Sequence, residues 1–142
     1  MECSLCDRLR LLFEGKYPYV VHEFKNSFLV LGEHQFFLGY CILISKKHYK
    51  EMTDIPAPEQ EEIFQEMMTA SKLIEKSFGP DKMNMCSLGN VVPHVHWHFF
   101  PRYKSDPEFS NPPWLSMHLF EKARIDDEKR EKLIETLRRN LP

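Results

Sequence analysis

Histidine recurs at alternate positions in His94-Val95-His96-Trp97-His98, followed by Phe99-Phe100. On a β-strand, alternate side chains share a face, so an extended chain over Pro93–Phe100 points all three imidazoles one way. Val95, Trp97 and Phe99 then point the other way, into a core under a helix. Three neighbouring imidazoles repel one another when protonated. That lowers their pKa values and favours neutral forms suited to nucleophilic attack or metal binding.

The rest of the chain supplies a sheet for this strand. Tyr19–Phe24 and Ser27–Leu31 are β-prone runs around Lys25-Asn26 and predict a hairpin. Gly39 introduces Tyr40–Ser45, a nearly continuous apolar run read as a central strand, and Lys82–Leu88 predicts a fourth. Between them, Ile63, Phe64, Met67, Met68, Ser71, Ile74 and Phe78 recur at three- and four-residue spacing, one buried stripe of a helix that Gly79-Pro80 ends. After Tyr103, Pro107, Pro112 and Pro113 predict loop past Trp114. Asp126 then caps a last helix whose apolar face is Leu133, Ile134, Leu137 and Leu141. Strands, a helix, strands and a terminal helix make an α+β chain with a mainly antiparallel sheet.

The 142 residues suit one domain, with a core over 1–104 and a C-terminal extension over 105–142. A formal net charge of −2 gives no electrostatic footprint for polymeric nucleic acid, although a small phosphorylated ligand needs only a locally positive site. The opening MECSLCDRLR is charged and no long apolar stretch follows it, so neither signal peptide nor membrane span is expected. A cytoplasmic chain keeps its cysteines reduced, where metal binding outweighs disulfide formation.

Cys3 and Cys6 form a Cys-x-x-Cys knuckle, the spacing that places two thiolates on one zinc ion. Two imidazoles would close a tetrahedral site, and His48, beyond the third strand, and His94 are the candidates. The competing arrangement is a catalytic zinc held by His94, His96 and His98 directly. Cys41 and Cys86 lie inside apolar runs and read as inert core residues.

His94-x-His96-x-His98 with two apolar residues after it, preceded by Leu88-Gly89-Asn90-Val91-Val92-Pro93 and trailed by Pro101-Arg102-Tyr103, resembles the histidine triad (HIT) family. The resemblance extends back through LGYCILISKKH to the Cys-x-x-Cys and covers about residues 1–104. It implies a five-stranded antiparallel sheet with a long helix, paired as a homodimer. It implies nucleotide hydrolysis or transfer at the α-phosphate of a dinucleoside polyphosphate or nucleoside phosphoramidate, through a nucleotidyl-histidine on His96, with a purine nucleotide or dinucleoside polyphosphate as partner. It also implies a structural zinc on Cys3, Cys6, His48 and His94. The rival function is a nucleotide-binding module that turns over little and acts through a protein partner.

For the phosphate, His98, the amide of Asn90 and backbone amides near Gly89 are the expected donors, and Asn84 is either a further donor or a turn residue. Two positions depart from the family pattern. Tyr40 follows Gly39 where members often carry a histidine, and Leu31-Gly32-Glu33-His34 stands where many place an Asn or Asp that holds the ribose. Glu33 is either that contact or a solvated carboxylate.

Overall fold

A computed structural model describes residues 2–142. Its five strands are β1 (Val20–Glu23), β2 (Ser27–Leu31), β3 (Cys41–Ser45), β4 (Lys82–Cys86) and β5 (His96–Arg102). They form one antiparallel sheet in the order β1-β2-β3-β5-β4, the fold class expected. Helices α1 (Ser4–Phe13), α2 (Ala57–Phe78) and α3 (Asp127–Arg139) complete it, and none is long and apolar enough to cross a membrane.

Both faces of the sheet are covered, which is why every residue of β2 is buried. On one face, Leu29, Leu31, Leu43, Trp97 and Phe99 pack with Ile63, Leu73 and Ile74 of α2 and Ile134 and Leu137 of α3. On the other, Leu5, Leu9 and Leu12 of α1 cover Phe28, Val30 and Ile44. At the far end of that second face Phe37, Tyr40, Phe100 and Phe120 form a separate aromatic cluster. His96 and His98 lie between the two covers, opposite Ile44 and Ile42 in the β3–β5 register.

Helix α2 ends at Gly79, whose left-handed φ of 59° lets its N–H reach the Glu75 carbonyl at 2.8 Å. Its buried face differs from the expected stripe. Ile63, Ser71 and Ile74 are buried, but Phe64 is 59% exposed, and Glu66, Ala70 and Leu73 are buried as well. The helix is turned by Glu66, whose carboxylate accepts from Ser27 Oγ and from the backbone and side-chain amides of Asn26. A carboxylate satisfied inside the hairpin turn outweighs one more apolar contact.

Three further boundaries depart from expectation. Helix α1 lies outside the elements the sequence pattern predicts. Cys3 caps it by accepting from the Cys6 N–H, and Leu5, Leu9 and Leu12 make its buried face. The tail after Pro112 is not loop: Pro113–Leu119 and Glu121–Ala123 are 3-10 turns. Strand β5 starts at His96 rather than Pro93, because a tight turn from the His94 N–H to the Val92 carbonyl precedes it. Asp126 caps α3 as expected, accepting from the Lys129 N–H at 2.8 Å.

Candidate active site and metal centre

The late start of β5 divides the histidines. His96 and His98 share a face of the strand, with ring centroids 4.9 Å apart. His94 lies ahead of it, fully buried, with its Nε2 2.8 Å from the Ser45 carbonyl. A carbonyl only accepts, so the proton is on Nε2 and the lone pair is on Nδ1. That Nδ1 lies 3.6 Å from both Cys3 Sγ and Cys6 Sγ.

His48 brings its Nδ1 to 3.3 Å from Cys6 Sγ, and the four ligand atoms all fall within 4.8 Å of one another. In a tetrahedral site with metal–sulfur and metal–nitrogen bonds of usual length, sulfur and nitrogen sit about 3.6 Å apart. The residues therefore fit a single ion. Burial, with the neighbouring Cys3 behind it, raises the Cys6 thiol above its usual range. A cation would reverse that balance and draw off the proton.

His96 has the opposite tautomer from His94. Its Nδ1 is 2.6 Å from the His94 carbonyl and must donate, which leaves the lone pair on Nε2. Ser87, just past β4, holds the same stretch by donating to the His96 carbonyl at 2.7 Å. His98 is neutral: burial first, then the nearby His96 and His34, push its pKa down to about 3. Its Nδ1 lies 2.6 Å from the Tyr40 hydroxyl.

The remaining expected residues are more dispersed. Gly89, with a φ of 76°, and exposed Asn90 lie in the loop joining β4 to β5. Asn84 is on β4 opposite Phe100, and its Oδ1 accepts from buried Arg102 at 2.9 Å. Arg102 also donates to the carbonyls of Glu108 and Asn111 and pairs with Asp106, so it ties the tail to the sheet. Glu33 accepts from Tyr17 at 2.9 Å and pairs with Arg8 and Arg124 at the rim of a 170 Å³ pocket.

An aromatic wall closes one side of the site. Tyr40 stacks on Phe100 at 4.4 Å and on His34 at 4.7 Å, and Trp114 meets His98 edge-on at 4.8 Å. His34 lies between Tyr40 and Phe120, and burial lowers its pKa to about 4. Tyr40 lies across Gly32, where a Cβ would collide with its ring. Gly32→Ala is therefore expected to cost about 1–3 kcal/mol, read as a lower midpoint of thermal unfolding. An unchanged midpoint would mean that the ring can move aside.

A family model for the HIT domain matches residues 16–105. The chain belongs to the HIT family. It is 29% identical over 114 residues to an uncharacterised HIT-like protein of Methanocaldococcus jannaschii, covering 75% of this chain and 83% of that one. It is 26% identical over 103 residues to a bis(5'-nucleosyl)-tetraphosphatase (asymmetrical) of Schizosaccharomyces pombe, covering 67% and 57%. A zinc-bound histidine triad family protein from Mycobacterium smegmatis has the same fold. It superposes with a TM-score of 0.69 at 22% identity over 99% of this HIT chain and 93% of the other.

Proposed function

We propose that this HIT protein cleaves nucleotides at the α-phosphate, with His96 Nε2 as nucleophile. The observation that carries the reading is the 2.6 Å bond from His96 Nδ1 to the His94 carbonyl, which in the neutral ring places the lone pair on Nε2. A neutral imidazole is a good nucleophile near neutral pH and needs no strong base. In the first displacement the Nε2 lone pair forms a bond to the α-phosphorus, and the bond to the leaving phosphate oxygen breaks. In the second, water attacks the phosphoramidate, gives up a proton, and returns His96 as the nitrogen–phosphorus bond breaks.

His98, with the amides around Gly89 and Asn90, holds the phosphoryl oxygens as charge builds on them. Zinc suits the two thiolates and two imidazoles of Cys3, Cys6, His48 and His94, and a closed site of that kind supplies structure, not Lewis acidity. It would fix His94, and with it the carbonyl that orients His96. The assembly of His94 with the two cysteines favours this over a metal shared among the three triad histidines. The tetraphosphatase relative supports dinucleoside polyphosphates as the substrate class.

The test is hydrolysis of diadenosine tetraphosphate in water enriched in oxygen-18. Release of AMP with the label in its phosphate is expected. No AMP, or label confined to the ATP released with it, would overturn attack at that α-phosphate.

A further inference from the structure

The Tyr40 side chain is 4% exposed, and its hydroxyl has one hydrogen-bond partner among the described residues, His98 Nδ1 at 2.6 Å. If His98 Nδ1 carried the proton, the phenol proton would be buried without an acceptor, which is costly. The phenol therefore donates and Nδ1 accepts. A neutral imidazole with Nδ1 accepting carries its proton on Nε2.

The rest of the loop is built to keep that phenol in place. Buried Gln35 bonds the carbonyls of Gly32 and Tyr40 and accepts from the Gly39 N–H. Gly32 leaves the space in which the ring lies, and Phe100 stacks on it at 4.4 Å. Tyr40 and His98 rings are themselves nearly parallel, 12° apart.

We propose that Tyr40 is a positioning residue that locks His98 in its Nε2–H tautomer, so that His98 meets a phosphoryl oxygen as a fixed donor. The proposal rests on the reading of His96 as nucleophile and gives this site complementary neighbours: His96 presents a lone pair and His98 presents a proton. Tyr40 acts through His98 and not on the substrate.

The test uses the full chain labelled with nitrogen-15 at histidine, in long-range proton–nitrogen correlation spectra, with the His98→Asn variant to assign the His98 signals. Wild-type protein is expected to show His98 purely as Nε2–H. In Tyr40→Phe, which retains the stacked ring, the His98 signals are expected to shift toward a mixture of tautomers. For diadenosine tetraphosphate, kcat is expected to fall about tenfold with KM within about twofold. His98 found as Nδ1–H in the wild type overturns the proposal. So does a folded Tyr40→Phe protein with unchanged His98 signals and unchanged kcat. If Tyr40→Phe does not fold, the wild-type tautomer decides. A wild type that turns over no nucleotide counts against the function above, while the spectra still judge Tyr40.

Discussion

His96→Ala is expected to lower the rate of AMP release from diadenosine tetraphosphate by at least about a thousandfold, with the fold retained. The side chain is half-buried, so its loss removes chemistry more than packing. The stability cost is the unpaired His94 carbonyl, about 1 kcal/mol. His98→Gln should be milder, about a hundredfold, because it weakens one donor to the transferring group. Steady-state kinetics beside thermal unfolding checks both. A folded His96→Ala protein within tenfold of wild type would remove His96 from the nucleophile's role.

The second large effect is on stability. Cys3→Ser together with Cys6→Ser should lower the thermal midpoint by about 10 °C or more, which corresponds to a few kcal/mol for a chain of this size. The two thiols lie at the start of α1, whose Leu5, Leu9 and Leu12 cover Phe28, Val30 and Ile44. Loosening them uncovers that part of the sheet and frees His94. Chelator should reproduce the fall in the wild type and leave the double variant unmoved. Stability should be lost before activity. Immediate loss of activity with an unchanged midpoint would instead put the metal in the chemistry.

Much of this site was legible because its signals are local. Alternation over residues 96–100 sets which histidines face together, and two-residue spacing sets the Cys3–Cys6 knuckle. The cluster of Cys3, Cys6, His48 and His94 also needs β3 beside β5, so that His48 and His94 converge, and ligand chemistry alone points to that pairing.

What escaped depends on contacts that spacing does not encode. The Leu5–Leu9–Leu12 stripe of α1 has helical period, but the knuckle beside it points to a metal and not to a helix. Phe64 lies on the outer side of α2 because Glu66 is captured by the hairpin turn at Asn26 and Ser27. The prolines of the tail predict loop, yet Pro113 opens a 3-10 turn that brings Trp114 and Phe120 onto the aromatic wall. In the sequence, Tyr40 is only a departure from a family pattern. Its bond to His98 spans 58 residues and depends on the vacancy at Gly32.

The most direct measurement is to mix the protein with diadenosine tetraphosphate, quench within one turnover under denaturing alkaline conditions that spare a phosphoramidate, and weigh the intact chain and its peptides. One added nucleoside monophosphate on the peptide bearing His96 is the result expected. Turnover with no covalent adduct, or an adduct on another residue, would contradict His96 as the nucleophile.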